Sequence, residues 1–326
     1  MPNPEPIISP CTYCGSVNST FYFDTRDIFG HDYQLRRCAD CGAIFLSPFP
    51  SEEMMKEAYD RSYYGTTKQK FKFPLVEQAA DYFRRRRAGK VVSLVPKHAR
   101  VLDIGCGNGD FLCYVRSFGD YELFGIERDE KAAERAIAKE GIHLQTSALQ
   151  EDNFQEDFFD AITLFHVFEH LTEPKKTLEI IRKILKPGGI LIVSFPNMGS
   201  YQAMLFKGNW FHLDPPRHLL FFKPKDFIRI MKNMDFTLMS SQYFSIEQNP
   251  YGWIQSILNH FCTKREVLYE RLKGNQEYAP EYGQLNVFLQ KCFFVLSFPV
   301  FVLSNFFGSF FHRGATVKFI LKNNKP

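Results

Sequence analysis

From residue 99 onward, short apolar runs alternate along the chain with segments whose apolar residues recur at helical spacing. The runs that predict strands are residues 100–104, 122–127, 142–146, 160–165 and 190–195. Between them, residues 131–139 and the stripe formed by Leu178, Ile181 and Ile184 predict helices, and the sequence Pro-Gly-Gly at 187–189 is expected to end the second helix. Strands that alternate with helices form a largely parallel sheet covered on both faces, so the pattern predicts an α/β fold.

A different pattern appears late in the chain, where phenylalanine becomes dense. Residues 292–311 contain no charged residue, and this stretch is long enough in principle to cross a bilayer, which takes roughly 20 apolar residues. Pro299 interrupts the stretch, and Lys291 and Arg313 flank it. Earlier, five apolar residues at helical spacing predict an amphipathic helix: Trp253, Ile254, Ile257, Leu258 and Phe261.

Composition changes this picture little. An apolar share of 45% and a charged share of 23% in 326 residues are typical of a globular protein and argue against disorder. The net charge of +4 is compatible with a nucleic acid, a membrane surface or an anionic substrate as partner. Residues 1–10 have neither a basic start nor an apolar stretch, so we expect no secretory signal and a cytoplasmic protein.

Two Cys-x-x-Cys pairs, each followed by glycine, stand near the N-terminus. Their members are Cys11, Cys14, Cys38 and Cys41. In a reducing compartment such pairs favour a metal over disulfides, and the glycines allow tight turns that converge four sulfurs on one Zn²⁺. A redox pair or clustered free thiols are the alternatives. Because a four-cysteine site leaves no open coordination position, the predicted zinc is structural.

The sequence Asp-Ile-Gly-Cys-Gly-Asn-Gly at 103–109 follows the first predicted strand. Its glycines permit a tight turn and let a ligand approach the backbone. Glu127 ends the next strand, where a carboxylate can accept both ribose hydroxyls. A dinucleotide site is the nearest rival, but its glycine spacing differs, and Asp103 and Asp110 bracket the loop. Two carboxylates favour a cofactor with a positive amine and a sulfonium over one with two phosphates.

At these residues the sequence resembles the class I S-adenosylmethionine-dependent methyltransferase superfamily, over residues 59–244. Phe159-Asp160-Ala161-Ile162 and the stretch 167–171 resemble its fourth-strand motif, and residues 185–189 resemble the turn before its fifth strand. The resemblance implies a Rossmann-like, seven-stranded, mostly parallel sheet. It also implies a set of residues that bind the cofactor: Asp103, Gly105, Cys106, Gly107, Gly109, Glu127, Leu149 and Phe165.

In this superfamily a seventh strand returns to the sheet after the sixth. If residues 237–244 and 316–321 are these strands, the apolar segment between them begins and ends on the same side, and a single membrane crossing is excluded. A helix in the membrane interface, a re-entrant hairpin and a buried lid over an apolar substrate stay open. We expect contact with a membrane surface, at its inner face.

Three histidines are candidates for the base that removes the acceptor's proton: His166, His212 and His218. The superfamily places acceptor-side groups after its fourth strand, where His166 lies. The other two stand in residues 209–219, a stretch with Asp214 and Arg217 that suits an acceptor carrying hydroxyls or an anion. This stretch is similar to methyltransferases of glycan and cell-envelope biosynthesis, and the paired cysteines are similar to those of sugar methyltransferases.

The predicted division of the chain is a zinc-ribbon-like module (1–50), a helical linker (51–96), a methyltransferase core (97–247), a hydrophobic helical insertion (248–311) and a last strand with a tail (312–326). The predicted activity is methyl transfer from S-adenosylmethionine to oxygen or carbon of a small, apolar or lipid-linked acceptor, a glycan precursor being one candidate. The alternative is an RNA methyltransferase with a zinc-binding recognition module. It is disfavoured because basic surface is evident only at residues 84–87. For this run a solvated helix face is favoured over phosphate or lipid binding.

Overall fold

A computed structural model of the protein describes residues 8–60, 74–128, 130–275 and 277–326. The remaining part of the predicted linker, residues 61–73, lies outside the described residues. Two units form: one from the described residues of 1–72, 196–227 and 242–317, and another from those of 73–195, 228–241 and 318–326. They are called the first and the second unit below. The predicted division into five segments stays a prediction.

The described residues contain strands of two to twelve residues. They are β1 (Ser19–Arg26), β2 (Asp32–Cys38), β3 (Ile44–Ser47), β4 (Arg100–Ile104), β5 (Glu122–Ile126), β6 (Ile142–Gln145), β7 (Phe159–Phe165), β8 (Leu185–Pro196), β9 (Leu220–Phe221), β10 (Phe236–Gln242) and β11 (Thr316–Asn323). Every run predicted as a strand in the α/β part of the chain overlaps one of them, and the predicted runs 122–127 and 142–146 each extend one residue beyond the strand.

The helices vary more in length, from one turn and a half to more than seven turns. They are α1 (Glu52–Asp60), α2 (Pro74–Val92), α3 (Asp110–Arg116), α4 (Glu130–Ile137), α5 (Pro174–Ile184), α6 (Tyr201–Phe206), α7 (Pro224–Asn233), α8 (Asn249–Phe261), α9 (Val267–Lys273) and α10 (Gln284–Phe310). Short 3₁₀ helices form at Phe168–His170, Lys207–Asn209 and Phe211–Leu213.

The second unit is built on a seven-stranded sheet in the order β10-β11-β8-β7-β4-β5-β6. The pairs from β8 to β6 are parallel. Strand β11 runs antiparallel to β8, since Asn197 N–H donates to Ala315 O at one end and Asn323 Nδ2 donates to Leu185 O at the other. The predicted Rossmann-like, mostly parallel fold is therefore confirmed.

Strand β8 begins earlier than the sequence pattern predicts. Phe159 of β7 pairs with Leu185 and Ala161 pairs with Ile190, so three extra residues of β8 bulge between two ladder positions. The predicted helix-ending sequence at 187–189 forms this bulge, and Gly188 takes a φ of 77° there. The helix itself ends one turn earlier, at Ile184.

Apolar side chains from α2, α3 and the sheet form the core of the second unit. Val101, Leu112 and Val115 are fully buried, and Ala88 and Val91 bring the inner face of α2 against them. This packing anchors both elements that flank the glycine loop after β4.

The first unit contains a second sheet in the order β1-β2-β3-β9. Strand β9 comes from the chain after β8, yet it pairs antiparallel with β3 through Ile44↔Phe221 and Phe45↔Leu220. Trp210 is fully buried in the core of this unit, together with Leu35 and Ile44. The cysteine-bearing segment thus shares one sheet with residues that lie far along the chain.

Helix α10 fills the predicted apolar segment. It is one continuous helix of 27 residues with Pro299 inside, so the re-entrant hairpin is not formed. It is long and apolar enough to cross a membrane, with a mean hydropathy of 1.9 over its most apolar stretch. Within the described residues, 6% of that stretch is buried, so the helix is not a buried lid either.

Candidate functional site

The glycine loop between β4 and α3 turns sharply at three residues in the left-handed region: Gly105 (φ 72°), Gly107 (56°) and Gly109 (76°). The Gly105 N–H donates to Ile126 O at 2.7 Å, which ties the loop to the end of β5. A Cβ on Gly105 would come within 2.3 Å of Val167 Cγ2, whereas a Cβ on Gly107 would meet nothing within 4 Å. Gly105 therefore serves packing, and Gly107 leaves open space beside the backbone.

Two buried carboxylates flank this loop. Asp103 lies near the end of β4 and is 4% exposed, and Thr163 Oγ1 donates to its Oδ1 at 2.6 Å. Glu127 follows β5, and its Oε2 accepts the Gly107 N–H at 2.8 Å. Burial raises the pKa of Asp103 to about 7, although the hydrogen bond from Thr163 and the positive charge of Arg87 oppose this shift. The arrangement can hold a cationic amine and a pair of hydroxyls.

Arg87 on α2 lies in the basic run 84–87, but the sequence did not predict that it would belong to this site. Its guanidinium carbon lies 4.8 Å from the ring centroid of Phe165, which in turn packs edge-on against Phe111 at 5.1 Å. Residues 84–87 looked like a solvated basic face. The signal to the contrary is that Arg87 stands one turn before Val91, which is fully buried on the inner face of α2.

The other predicted cofactor residues occupy two environments. The side chain of Cys106 is 6% exposed and packs in the core against Gly125, where an added Cβ would come within 2.7 Å of its Sγ. Burial raises the pKa of its thiol. Leu149 lies after β6 and is half-buried. Cys106 can therefore offer its backbone to a ligand, and Leu149 an apolar surface.

His166 comes directly after β7. Its backbone takes a φ of 57°, and its Nδ1 lies 3.3 Å from Glu169 Oε1 on the following 3₁₀ helix. The side chain of Glu169 is 1% exposed, while 31% of the His166 side chain is exposed. A carboxylate in this position can select the tautomer and orientation of the imidazole.

His212 and His218 lie in the first unit, where both are buried. His218 Nδ1 is 2.9 Å from His212 O. Arg217, which is 4% exposed, forms a two-point ion pair with Asp214 at 3.0 and 2.5 Å. The polar residues of this stretch are therefore held in internal contacts, and Arg217 is already paired with a carboxylate instead of facing solvent.

Two further buried charges support this stretch and carry no signal in the sequence, because Lys-Arg-Glu at 264–266 looks like a solvated run. Arg265 Nη2 donates to Trp210 O at 3.2 Å. Glu266, 2% exposed, has its pKa raised to about 7, first by burial and then by the negative charge of Asp214.

Sulfur atoms of four cysteines converge in the first unit, all within 4.8 Å of one another: Cys11, Cys14, Cys38 and Cys41. The Cys11–Cys41 and Cys14–Cys38 sulfur pairs are each 3.6 Å apart. Four sulfurs at about 2.3 Å from a tetrahedral Zn²⁺ would be about 3.8 Å apart, so the donor set and its spacing fit this ion. The hydrogen bond between Cys11 and Cys41 lowers the pKa of Cys11 to about 5 and raises the pKa of Cys41, so Cys11 is the thiol of this pair that ionises first.

A family model described as a methyltransferase domain matches residues 74–241, just over half of the chain. The chain belongs to this methyltransferase family. The match includes β4 to β9, all but the last residue of β10, the glycine loop, both carboxylates and His166. The predicted class, an S-adenosylmethionine-dependent methyltransferase, is confirmed.

Curated relatives of this methyltransferase are distant. It is 27% identical over 162 residues to a tRNA 5-carboxymethoxyuridine methyltransferase of Escherichia coli, which covers 47% of this chain and 59% of the relative. It is 32% identical over 105 residues to a ubiquinone/menaquinone biosynthesis C-methyltransferase of Vibrio campbellii (29% and 40%). It is 28% identical over 148 residues to a ubiquinone biosynthesis O-methyltransferase of Idiomarina loihiensis (40% and 58%). Each match covers less than two thirds of the relative.

Solved structures with similar chains include a putative sarcosine dimethylglycine methyltransferase from Galdieria sulphuraria, with a TM-score of 0.48 and 16% identity over 76% of this chain and 87% of that one. The [4+2]-cyclase SpnF has the same TM-score and identity over 81% and 87%. At such values these likenesses carry nothing about activity. The similarity to glycan and cell-envelope enzymes stays a prediction.

Proposed function

We propose that this methyltransferase transfers the methyl group of S-adenosylmethionine to an oxygen or carbon of a small, apolar or lipid-linked acceptor, a glycan precursor among the candidates, at the cytoplasmic face of a membrane. One observation carries the cofactor assignment. Two buried carboxylates, Asp103 and Glu127, flank a glycine loop that leaves open space at Gly107. A site for a pyrophosphate would place anions beside anions, which costs free energy.

Each residue of the cradle has a proposed part. Asp103, once ionised, accepts from the cofactor's amine, and Glu127 accepts from its ribose hydroxyls. Gly107 lets the ligand approach the backbone, and Leu149 and Phe165 offer apolar walls. S-adenosylmethionine, when bound, supplies an electrophilic methyl group on a sulfonium. The protein's main contribution is then alignment of the acceptor.

Among the three histidines, we favour His166 as the base. It is the most exposed of them, it belongs to the same unit as the carboxylates, and Glu169 can orient its ring. As the acceptor atom bonds to the methyl carbon, the carbon–sulfur bond would break with its electron pair left on sulfur, and the imidazole of His166 would take up the acceptor's proton. His166→Gln should lower kcat by about a hundredfold or more, as expected for loss of a general base, with little effect on cofactor affinity.

Four thiols with tetrahedral spacing support a structural Zn²⁺ in the first unit. The relatives named for ubiquinone biosynthesis support a small-molecule acceptor. The relative that acts on tRNA supports the alternative of an RNA acceptor. The exposed apolar surface of α10 favours the first possibility.

Calorimetric titration with S-adenosylmethionine tests the cofactor assignment. We expect binding by the wild type and a loss of about tenfold or more in Asp103→Ala, since a charge-assisted hydrogen bond is removed. The matched control is Asp120→Ala, because the Asp120 side chain is 87% exposed and lies in the same unit. A wild type that does not bind, or an Asp103→Ala variant that binds undiminished, would contradict the assignment.

The acceptor is tested with trideuteromethyl-labelled cofactor, incubated in parallel with a membrane lipid extract and with total RNA from the same cells. A labelled lipid or lipid-linked glycan found by mass spectrometry supports the proposal. Label in RNA alone overturns the proposed acceptor class while leaving the cofactor assignment intact.

A further inference from the structure

Helix α10 exposes a row of apolar side chains and buries two of its amides, the reverse of a surface helix on a water-soluble protein. Six exposed residues lie along one face at spacings of three, four and seven: Leu285, Leu289, Leu296, Leu303, Phe307 and Phe310. We call them the outer stripe. Their exposed fractions run from 57 to 79%. At 1.5 Å per residue, the stripe extends for roughly 38 Å along the helix.

Two amides in the body of the same helix, Gln290 and Asn305, face inward, whereas Gln284 and Asn286 near its start are exposed. Gln290 is 5% exposed and donates to Asn286 Oδ1 at 2.7 Å. Asn305 is 2% exposed and accepts from Asn249 Nδ2 at 2.8 Å. Polar groups inside and apolar groups outside are the arrangement that a lipid environment stabilises, because polar atoms there must find partners within the protein.

The hydroxyl groups of Ser297 and Ser304 are satisfied by the helix's own backbone. Ser297 Oγ donates to Phe293 O at 2.6 Å, and Ser304 Oγ donates to Phe301 O at 3.2 Å. Such bonds to a preceding carbonyl let serine occupy an apolar environment without water. Neither hydroxyl therefore depends on hydration of this helix.

Both ends of the segment that carries α10 are held together. Tyr243, just after β10, stacks on His312 with ring centroids 4.9 Å apart. Asn249 Nδ2 also donates to Tyr243 O at 2.9 Å, and Asn249 Oδ1 accepts the Thr316 N–H at 3.1 Å. The segment thus leaves and re-enters the fold at one place, which excludes a single membrane crossing and favours a helix lying along the surface.

Charge around the helix matches an anionic surface. Residues 282–326 contain no Asp or Glu, so exposed Glu281 before the helix is the carboxylate nearest to the stripe in sequence, while the cations Lys291 and Arg313 within and after the helix are both exposed. Basic side chains beside an apolar helix face are attracted to anionic lipid headgroups. A protein partner would be expected to use polar groups for register, and the outer stripe offers none.

We propose that the outer stripe of α10 is a monotopic docking surface that inserts, parallel to the membrane plane, into the interfacial region of an anionic lipid bilayer. This inference deepens the proposed function, since an apolar or lipid-linked acceptor resides in such a surface. It can be tested without any measurement of methyl transfer.

The test is sedimentation with vesicles of equal parts phosphatidylcholine and phosphatidylglycerol, and with pure phosphatidylcholine. The variant carries Leu296→Glu, Leu303→Glu and Phe307→Glu, and we expect its partition coefficient to fall by about a hundredfold or more, because inserted apolar side chains become charges. The matched control places three glutamates at exposed apolar residues elsewhere in the same unit, namely Val17, Phe21 and Phe49. It should bind vesicles like the wild type.

Insertion itself is measured with Leu303→Trp in vesicles whose acyl chains are brominated. Its fluorescence should be quenched, whereas that of Val17→Trp should not. Unchanged S-adenosylmethionine affinity and circular dichroism of the triple variant show that it is folded. The proposal is overturned if the wild-type protein stays in the supernatant when vesicles are sedimented without detergent. It is also overturned if the triple variant binds vesicles as the wild type does.

Light scattering separates a second outcome. Suppose that the wild type is a stable dimer, that the triple variant is a monomer, and that neither binds vesicles. In that case the stripe is an interface between copies, and the membrane proposal is wrong. Vesicle binding by a wild type that fails to bind S-adenosylmethionine would instead refute the proposed function alone.

Discussion

Gly105 and Gly107 share a left-handed backbone but differ in what surrounds them, and this difference predicts opposite phenotypes for the same substitution. An alanine in the left-handed region costs roughly 1–2 kcal/mol at either position. At Gly105 the new Cβ would also lie 2.3 Å from Val167 Cγ2, and overpacking of this kind adds about 1–3 kcal/mol. Gly105→Ala should therefore lower the free energy of unfolding by about 2–5 kcal/mol, and Gly107→Ala by about 1–2 kcal/mol.

Cofactor binding should be affected in the opposite order, more by Gly107→Ala than by Gly105→Ala. A Cβ on Gly107 occupies space that is open in the fold, beside the backbone N–H that Glu127 orients. We expect Gly107→Ala to weaken S-adenosylmethionine binding by about tenfold or more, although it is the more stable variant. Urea denaturation gives the free energies, and calorimetric titration gives the affinities.

Val167→Ala provides the control, since it removes the methyl group that the new Cβ would strike. Combined with Gly105→Ala it should recover about 1–3 kcal/mol relative to the sum of the two single losses, a coupling that a double-mutant cycle measures. The reasoning is refuted if both glycine variants are equally stable, if the cycle shows no coupling, or if Gly107→Ala binds the cofactor normally.

Three further outcomes are expected. Because the pKa of Asp103 is raised to about 7, the folded protein keeps this proton between about pH 4 and 7 while the unfolded chain has lost it, so the contribution of Asp103 to stability falls as pH rises through that window. Asp103→Asn should remove this slope from urea midpoints measured against pH, and an unchanged slope would contradict the raised pKa. Elemental analysis should find one zinc per chain. Cys38→Ser should release the zinc and lower the unfolding temperature, at a cost on the order of several kcal/mol, whereas Cys113→Ser, outside the cluster, should do neither. Retention of zinc by Cys38→Ser would exclude the site. Asn249→Ala should lower the free energy of unfolding by about 2–4 kcal/mol, because several buried partners lose their hydrogen bonds. The control Gln284→Ala, at an exposed residue, should cost less than about 0.5 kcal/mol, and equal unfolding midpoints would contradict the prediction.

The sequence alone determined the α/β core and its family. Strand and helix periods depend on which face of an element is buried, and that information is local, so β4 to β8 could be located from the apolar pattern. Glycines required by backbone geometry, and carboxylates at strand ends, are also visible in one dimension. The four cysteines belong to the same category, because their spacing encodes the turns that bring their sulfurs together.

Other features depend on contacts between residues far apart in the chain. The pairing of β9 with β3 places the stretch 209–219 in the unit that contains the cysteines. In this stretch Trp210 is buried in the core and Arg217 forms a buried ion pair with Asp214. Arg87 looked like part of a solvated run until the packing of α2 turned it toward Phe165. Such partners are chosen by three-dimensional proximity, which has no local signature.

Helix α10 shows the division most clearly. Its length and apolar character follow from composition, yet composition cannot tell a buried helix from one exposed to lipid. The difference lies in which side chains face the first unit. Gln290 faces inward, where its Nε2 donates to Cys262 Sγ, Asn305 Oδ1 accepts from Asn249 Nδ2, and the apolar residues of the outer stripe stay exposed. Only the tertiary structure decides this, because an amide must face whichever side offers it a hydrogen bond.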